Sequence, residues 1–467
     1  MADTRPHLAY VFERFPSFTQ TFCVREILEL ERQGLRPLIF SIRDTRGEIP
    51  RHFPDALYER VHFLPPEKEL VDSVKQLKSD GHLPQSAVLA LREWKDRPDT
   101  RDKQRLYEAA WIGWKMREAG VRHAHSHFAG VGARTAWWLR RLHGFTYSFT
   151  GHANDLWSRN DLPLTLADLM RDASLVATVS DYSARDLRER FPEAAAKVRR
   201  VYNGLDLAPF RAAAARRDPA AVWQAPGGPL ILSVGRLIEK KGFDDLIRAC
   251  ARLRDCGAGP FRCVIVGDGP LETELADLIR QLDIADRVTL AGPRSQPEII
   301  DLLQHAALFA LPCVTEADGG KDNLPTVLME AMAARVACAS TRLAGVPEMV
   351  IDGITGRLVD ERRPDDFAGI LAEMIASPDT CETMGRAGEE RAARLFAQEA
   401  TARSLRRLLI GHGLTRFDPG LVARDPITSV QYARQMPLRI RQAFWKAAHR
   451  EKSEIRISTS ETISNQD

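Results

Sequence analysis

The sequence predicts an α/β protein made of two doubly wound domains, and three observations predict this fold class. Short apolar runs of β-like composition alternate with amphipathic helical patterns along most of the chain. An Ala-, Arg- and Pro-rich stretch around residues 206 to 229 interrupts the alternation once. The 467 residues also exceed what one ordinary hydrophobic core contains. We therefore expect two largely parallel sheets, each covered by helices, facing each other across a cleft.

The alternation predicts strands in both halves of the chain. The predicted strands are residues 7 to 12, 37 to 43, 121 to 128, 145 to 150 and 175 to 180, then 230 to 235, 262 to 267, 287 to 291, 308 to 312, 336 to 340 and 356 to 359. Residues 19 to 33 have the spacing of a helix. Residues 65 to 117 are charged and helical in pattern, with Trp94, Trp111 and Trp114 at apolar positions. They predict a helical insertion in the first domain.

The domain boundaries follow from these patterns. We expect a first domain over residues 1 to 206, a linker over 207 to 228, and a second domain over 229 to 412. The last helix of the second domain is a candidate to pack back on the first domain. From residue 413 the alternation stops, so residues 413 to 467 are expected to be a basic, partly disordered extension.

Composition gives no sign of a nucleic-acid partner. Lys plus Arg total 66 against 63 Asp plus Glu, a net charge of +3. The seven cysteines show no CxxC spacing, which favours a reducing compartment. No window approaches the roughly 18 to 20 apolar residues of a membrane span, and residues 1 to 6 begin no signal peptide. The sequence therefore predicts a cytoplasmic protein.

The basic extension allows two interpretations. Residues 434 to 450 mix Leu438, Phe444 and Trp445 with several Arg and Lys residues. Such a segment can lie on an anionic membrane, which would make the protein peripheral at the inner face of the cell membrane. The alternative is a helix that packs on its own protein, followed by a disordered end.

Two cations follow the first strand of the second half. Arg236 and Lys241 come directly after residues 230 to 235 and precede an amphipathic helix. An Arg fork and a Lys point charge suit a leaving diphosphate, because they neutralise charge that grows as a glycosyl bond breaks. The alternative is a solvated basic loop.

Two spaced carboxylates open a later helix. Asp322, Asn323 and Leu324 form the predicted entry loop, and Pro325 can occupy the first helical turn. Glu330 lies about one turn into the helix, where a carboxylate can accept hydrogen bonds from both ribose hydroxyls. Asp322 would contact a transferred sugar. The alternative is an ordinary charged helix start.

Histidines and glycines complete the candidate residues. His152 closes the strand at 145 to 150, so its imidazole can reach across the cleft toward a sugar. His123, His125 and His127 alternate on one strand face, but no Cys or carboxylate is near in sequence, so no metal site is predicted. The Gly-Asp-Gly-Pro sequence containing Gly269 lacks the third glycine of a dinucleotide fingerprint and predicts a turn.

The chain resembles the retaining family 4 (group 1) glycosyltransferases, which have the GT-B fold of two Rossmann-like domains facing an interdomain cleft. Residues 203 to 206, 235 to 242, 267 to 271 and 322 to 333 carry the resemblance, in this order, over roughly residues 7 to 410. Residues 15 to 22, 125 to 129 and 149 to 152 are similar to the colanic-acid and exopolysaccharide branch.

The resemblance implies roles for single residues and requires no metal or other cofactor. The residues implied to act in catalysis are Arg236, Lys241, His152 and Asp322. The implied donor-binding residues are Arg236, Lys241, Asn323, Leu324, Pro325, Glu330, Gly269 and Arg294. Ser17, Thr19 and His127 are expected on the acceptor side. Family members usually carry Glu-Gly where this chain has Asp322-Asn323, which suggests a changed donor preference.

The implied activity is retaining transfer of a hexose from a GDP- or UDP-linked sugar to a lipid-linked or polysaccharide acceptor. Exopolysaccharide, capsule or lipopolysaccharide biosynthesis would be its setting. Two alternatives stay open: a nucleotide-sugar epimerase or hydrolase of the same fold, and a catalytically weak binding subunit. The catalytically weak binding subunit is favoured only by the Asp322-Asn323 pair.

Overall fold

A computed structural model of the protein describes residues 7 to 17, 20 to 48, 53 to 95, 100 to 157 and 164 to 415. The predicted acceptor-side residue Thr19 lies outside the described residues, as do residues 416 to 467 of the predicted extension with their proposed membrane segment. None of the helices in the described ranges combines the length and apolar composition that a bilayer crossing requires.

The first domain is built on a seven-stranded parallel sheet. Its strands are β1 (Leu8–Arg14), β2 (Pro37–Arg43), β3 (Val61–Phe63), β4 (His123–His127), β5 (Thr146–Gly151), β6 (Leu175–Thr178) and β7 (Val198–Arg200). Their order in the sheet is β3-β2-β1-β4-β5-β6-β7. The carboxyl ends of parallel strands share one edge, and the order reverses direction between β1 and β4. Loops at that point are positioned to bind a ligand.

Helices cover both faces of this sheet. They are α1 (Thr21–Arg32), α2 (Asp55–Tyr58), α3 (Glu67–Ser79), α4 (Gln85–Glu93), α5 (Thr100–Glu118), α6 (Val131–His143), α7 (Ala153–Trp157), α8 (Leu166–Asp172) and α9 (Asp181–Arg190). The predicted helical insertion corresponds to α3, α4 and α5. Leu70, Leu91 and Leu106 anchor these three helices in the core.

The second domain repeats the plan with six parallel strands. These are β8 (Leu230–Val234), β9 (Arg262–Val266), β10 (Val288–Leu290), β11 (Leu308–Leu311), β12 (Ala337–Thr341) and β13 (Gly356–Val359). Their order is β10-β9-β8-β11-β12-β13, again with one reversal. The connecting helices are α12 (Phe243–Asp255), α13 (Glu272–Gln281), α14 (Gln296–His305), α15 (Thr326–Ala333), α16 (Val346–Met349), α17 (Pro364–Ile375) and α18 (Pro378–Leu395). Both predicted parallel sheets are therefore present.

The segment expected to be a linker is largely helical. Residues 208 to 223 form α10 (Ala208–Arg216) and α11 (Pro219–Trp223). Phe210 and Val222 are buried in the core of the second domain. Asp218 caps α11, because its carboxylate accepts a hydrogen bond of 3.0 Å from the Ala220 amide. Ala-rich composition favours helix as well as flexible loop, so the prediction of a linker over 207 to 228 is corrected to a helical part of the second domain.

The last helix, α19 (Gln398–Gly411), returns to the first domain. Ala402, Leu405 and Leu409 share an apolar cluster with residues of β1 and α1. The chain thus crosses between domains twice, and the two crossings are hydrogen bonded: the Leu205 amide donates to the Phe396 carbonyl at 2.7 Å, and the Gln398 amide donates to the Leu205 carbonyl at 3.1 Å. These two hydrogen bonds hold the crossing segments side by side.

Candidate active site

The candidate active site lies where the carboxyl ends of the two sheets come together. The second domain contributes the loop after β8, the loop after β9 and the entry to α15. The first domain contributes the loop after β1, helix α1 and the residues after β5. Contacts between the two domains fix the relation of these segments in the structure.

Two loops of the second domain touch backbone to backbone. The Leu237 amide donates to the Asp268 carbonyl at 2.7 Å. Gly267 and Gly269 have φ of 142° and 157°. A Cβ atom on Gly267 would lie 1.9 Å from the Gly235 carbonyl oxygen, so no side chain fits there. Gly269, predicted to bind the donor, lies against the loop that carries Arg236: a Cβ atom on it would lie 2.5 Å from the Leu237 carbonyl oxygen.

Lys241 and Asp322 form an ion pair at this edge of the cleft. The backbone turns directly after Lys241 at Gly242, whose φ is 64° and where a Cβ would lie 1.9 Å from the Pro312 carbonyl oxygen, so no side chain fits there. Burial opposes the charge of Lys241, but Asp322 and Cys313 together outweigh burial and raise the pKa of Lys241. Lys241 is therefore a fixed cation, and Asp322 is its partner.

Glu330 presents a carboxylate to the cleft from α15. The helix starts after Pro325, which has φ of −60° and ψ of 113° and precedes the helix instead of forming its first turn. Glu330 is partly buried, and its carboxylate has no hydrogen-bond partner among the described residues. Burial raises the pKa of Glu330 to about 7, against the opposing effect of Arg25 on α1. This side chain is available to accept hydrogen bonds from a ligand.

Arg25 connects Glu330 to the first domain. Its Nε donates to the Gly204 carbonyl at 3.1 Å, beside the first crossing segment. Burial lowers the pKa of Arg25, and Glu330 and Asp206 counteract this effect. An arginine of the first domain, which was not among the predicted site residues, therefore faces the acid predicted to bind ribose.

The side chain of Asn323 points to the other domain rather than to a donor. It is only 2% exposed. Its Oδ1 accepts from the Ser180 hydroxyl at 2.6 Å, and its Nδ2 donates to the Ser183 hydroxyl at 3.1 Å. Because both ends of the amide are occupied, the prediction that Asn323 contacts the donor is corrected: it holds the domains together.

Leu324, at 7% exposure, belongs to the core of the second domain and acts by packing.

A second interdomain contact is made by Glu348. Its carboxylate accepts from the amides of Asp181 at 2.8 Å and Tyr182 at 2.7 Å, the first two residues of α9. The Tyr202 hydroxyl also donates to it, at 3.1 Å. A carboxylate at a helix N-terminus satisfies amides that lack an intrahelical partner. The second domain therefore caps a helix of the first.

His152 ends a chain of buried hydrogen bonds. Its Nε2 lies 3.1 Å from His127 Nδ1, and His127 Nε2 lies 2.9 Å from Glu26 Oε1 on α1. The Tyr10 hydroxyl donates to the same Glu26 oxygen at 2.6 Å. His127 is 3% exposed and both its ring nitrogens are occupied. The prediction that His127 contacts an acceptor is therefore corrected: it lies behind His152.

Two buried histidines of β4, His125 and His127, form with Glu26 the one group of potential metal ligands found among the described residues. Donor atoms of Glu26, His125 and His127 lie within 4.8 Å of one another. His125 contacts the hydroxyls of Ser148 at 2.7 Å and Thr150 at 3.1 Å. Every ring nitrogen of the two histidines thus has a hydrogen-bond partner, which favours a hydrogen-bond network over a metal centre. Glu26 could not be predicted as a partner of these histidines, because it comes from a helix distant in sequence.

The remaining predicted residues lie at the cleft edges. Arg236 is exposed just after β8, and Arg294 is exposed between β10 and α14. Ser17 follows β1 at the carboxyl edge of the first sheet. Arg25 and Glu26 were not among the predicted site residues. Helix α1 also contains Glu29, Glu31 and Arg32, so charge alone did not single these two residues out.

Two family models together match most of the chain. The model described as Glycosyltransferase Family 4 matches residues 20 to 209, and the model described as Glycosyl transferases group 1 matches residues 217 to 391. The first match covers much of the first domain and the second match most of the second. Each half of the cleft is therefore similar to the corresponding half of these enzymes.

The curated proteins that this chain resembles are also named as glycosyltransferases. The chain is 39% identical over 188 residues to the putative colanic acid biosynthesis glycosyltransferase WcaL of Salmonella typhimurium, covering 40% of this chain and 46% of the relative. It is 40% identical over 144 residues to the amylovoran biosynthesis glycosyltransferase AmsK of Erwinia amylovora, covering 31% and 35%. These matches span less than half the length of the two relatives. A D-inositol 3-phosphate glycosyltransferase of Kribbella flavida is 31% identical over 60% of this chain and 69% of its own length.

Solved structures share the architecture. A glycosyltransferase from Rickettsia africae superposes with a TM-score of 0.65 at 15% identity, covering 86% of this chain and 97% of that one. Anabaena HepE in complex with UDP gives a TM-score of 0.62 at 19% identity, covering 86% and 99%. Their likeness confirms the predicted GT-B fold. On the family models and the Kribbella relative, the chain belongs to the group 1, family 4 glycosyltransferases.

Proposed function

We propose that this protein is a retaining glycosyltransferase that moves a hexose from a UDP- or GDP-linked sugar to a lipid-linked or saccharide acceptor. Its setting would be the assembly of exopolysaccharide, capsule or lipopolysaccharide. One observation carries the proposal: the cleft offers a fixed cation, Lys241, and an accepting carboxylate, Glu330, from neighbouring segments of one domain. A nucleoside diphosphate needs both kinds of contact.

The donor would occupy the second domain. The Lys241 ammonium and the Arg236 guanidinium neutralise the charge that grows on the diphosphate as the glycosyl bond breaks. When a phosphate arrives, Lys241 is shared between that phosphate and Asp322. Ionised Glu330 accepts hydrogen bonds from two ribose hydroxyls, and the free amides at the start of α15 favour the anion.

The acceptor would approach from the first domain, past the loop that holds Ser17. Its hydroxyl oxygen forms a bond to the anomeric carbon as the bond from that carbon to the phosphate oxygen breaks. The hydroxyl proton passes to the leaving phosphate oxygen on the same face, which gives retention. His152 contacts the hexose, and closure of the domains excludes water that would otherwise hydrolyse the donor.

The names of similar proteins support the substrate classes. WcaL and AmsK are named for colanic acid and amylovoran biosynthesis, and HepE has been solved with UDP. We propose a saccharide or lipid-linked acceptor and a nucleotide-sugar donor, used on the cytoplasmic face of the cell membrane without a metal or other cofactor.

Sugar transfer tests the proposal. The full-length protein is incubated with UDP- or GDP-linked radiolabelled hexoses and a lipid-linked saccharide fraction from a polysaccharide-producing bacterium, with Lys241→Ala in parallel. We expect label in the lipid fraction with the wild type and a rate on the order of 10²- to 10³-fold lower with the variant. Free or epimerised sugar without transfer would indicate the epimerase or hydrolase alternative. Donor binding without turnover would indicate the binding subunit.

A further inference from the structure

A cavity of about 860 Å³ opens at the carboxyl edge of the first sheet, and we call it the β2–β3 cavity. Its lining comes from the end of β2, the loop after β3, the first half of α5 and the start of α6, and includes Arg43, Phe63, Glu108 and Val131. Pockets that bind ligands usually have volumes of about 300–1,000 Å³. The residues assigned to the donor belong to the second domain and lie outside this lining.

The β2–β3 cavity lies at the edge of the sheet that carries the acceptor side of the cleft. Strands β2 and β3 follow β1 in the sheet, on the side away from β4. Neighbouring strands lie about 4.8 Å apart, so the ends of β2 and β3 are about 5 to 10 Å to the side of the end of β1. The loop after β1 holds Ser17, which is expected on the acceptor side. A chain molecule whose last unit lies by this loop can therefore extend into the cavity.

The wall formed by α5 contains a fixed pair of charged groups. Glu108 is 1% exposed. Its Oε1 accepts from Arg105 Nη2 at 2.6 Å, and its Oε2 accepts from the Thr135 hydroxyl at 2.8 Å. A buried carboxylate needs such partners, so these contacts hold the Arg105 guanidinium in place. Within the described ranges the Nε of Arg105 is buried without a hydrogen-bond partner, and the guanidinium therefore keeps donors for a ligand.

Three further polar side chains of the lining have no partner within the described part of the chain. Glu67 and Glu69 lie in the first turn of α3, and Gln104 lies on α5. All three are exposed. Two carboxylates accept hydrogen bonds, and the amide both donates and accepts. The β2–β3 cavity therefore offers acceptors and donors together.

The charges of the lining indicate the chemical class of the ligand. Three arginines and four carboxylates line the cavity. Arg43 is already paired with Glu13 at 3.0 Å, and Arg46 with Asp44 at 2.6 Å. Phosphate and nucleic acid require cations whose charge is not yet compensated. Sugar hydroxyls both donate and accept hydrogen bonds, so a neutral saccharide fits this lining better than an anion.

We propose, on the basis of the function proposed above, that the β2–β3 cavity binds neutral sugar units of the acceptor that lie behind the unit receiving the hexose. The acceptor is then an oligosaccharide, and the enzyme elongates a glycan instead of attaching the first sugar to a lipid phosphate. The hydroxyls of these units bond to Glu67, Glu69, Gln104 and Arg105, and the ring C–H groups pack on Phe63. Binding energy from such remote units favours acceptors that already carry several sugars.

Hydrogen exchange of the full-length protein tests the ligand class without a donor. The probes are neutral oligosaccharides and monosaccharides, released by mild acid from the lipid-linked saccharide fraction used above, and inorganic phosphate and diphosphate. We expect the oligosaccharides to slow exchange in peptides covering residues 61 to 70 and 102 to 110, and the other probes to leave it unchanged. Slower exchange there with phosphate or diphosphate, but not with oligosaccharides, would show an anion site and overturn the proposal.

Acceptor kinetics provide the second test. Gln104→Trp fills the cavity from an exposed position, and the double variant Glu67→Gln/Glu69→Gln removes two charged acceptors at nearly constant shape. Each is expected to raise the KM for the lipid-linked saccharide by about tenfold or more, the effect of losing hydrogen bonds to a ligand. The kcat at saturating acceptor and the thermal stabilisation by nucleotide should not change, because only uniform binding is lost. Gln85→Trp and Glu59→Gln are the matched controls, since both residues are exposed in the same domain outside the cavity.

The outcomes separate this inference from the proposed function. A wild type that transfers sugar, with both cavity variants folded and the acceptor KM unchanged, overturns the saccharide subsite and leaves the transferase intact. A wild type that neither transfers nor cleaves any nucleotide sugar, but is protected by oligosaccharides at residues 61 to 70 and 102 to 110, overturns the function and leaves the saccharide site intact. Wild-type hydrogen exchange alone decides the subsite if the variants do not fold.

Discussion

Lys241 and Asp322, 81 residues apart in the chain, form an ion pair at the mouth of the cleft. Their side chains are 13% and 18% exposed, so the pair is largely shielded from solvent. Removing one member of such a pair leaves the other charge without compensation, which costs far more than the pair itself contributes. The two motifs that the sequence analysis assigned to different parts of the donor therefore depend on each other.

Lys241→Ala should lower the turnover number on the order of 10²- to 10³-fold in a folded protein, because the cation that stabilises the departing diphosphate is lost. Nucleotide release from a donor sugar measures the rate. The neighbouring Lys240→Ala is the control and should retain turnover. Near-normal turnover of Lys241→Ala with wild-type secondary structure would contradict the assignment.

Glu330→Gln should reveal the raised pKa of Glu330 through stability. The folded-state pKa is about 7 against an ordinary value of 4.5. Folding therefore favours the protonated carboxyl, and wild-type stability relative to Glu330→Gln is lost as the pH rises between these two values. The difference should reach about 1–3 kcal/mol above pH 7. Urea unfolding of both proteins at about pH 5 and pH 8 measures it, and a pH-independent difference would exclude a raised pKa.

Asn323→Ala should destabilise the interdomain contact by about 1–3 kcal/mol, because Ser180 and Ser183 each lose a buried partner. A double-mutant cycle with Ser180→Ala isolates the pair, and a coupling of about 1 kcal/mol is expected. Thermal and urea unfolding provide the free energies. Strictly additive effects would show that the two side chains do not interact in solution.

Glu348→Ala should expose the start of α9 to solvent, because the amides of Asp181 and Tyr182 lose their acceptor. Hydrogen exchange in a peptide spanning residues 179 to 187 should accelerate by about tenfold or more, corresponding to about 1.4 kcal/mol. Glu298→Ala is the matched control, since Glu298 caps α14 within its own domain through Ser295. Equal exchange in wild type and Glu348→Ala would show that the cap is not formed in solution.

The fold was predictable where strands are buried on both faces. Residues 230 to 234 are all buried, and such strands form uninterrupted apolar runs that stand out in a sequence. β3 was missed because it has three residues, of which only Val61 is buried. The helices α10 and α11 were missed for another reason: their Ala and Arg content is compatible with helix and with loop, and packing of Phe210 decides between them.

The candidate site was predictable only in part. Lys241, Asp322 and Glu330 occur in local motifs, so their place at strand ends and at a helix start could be inferred. The partner of His127 could not, because Glu26 lies 101 residues away and reaches it only when α1 packs on the sheet. Asn323 was assigned to the donor from its place in the motif, whereas its actual partners, Ser180 and Ser183, belong to the other domain.

Thermal stabilisation by nucleotides tests the central claim most directly, since it requires no acceptor. The full-length protein and Glu330→Ala are heated with UDP, GDP, ADP and their common sugar conjugates. A ligand at a hundred times its dissociation constant adds about 2.7 kcal/mol. The account predicts that one nucleotide series raises the wild-type melting temperature and that the shift is lost in Glu330→Ala. No shift with any nucleotide in the wild type would contradict a nucleotide-sugar site in this cleft.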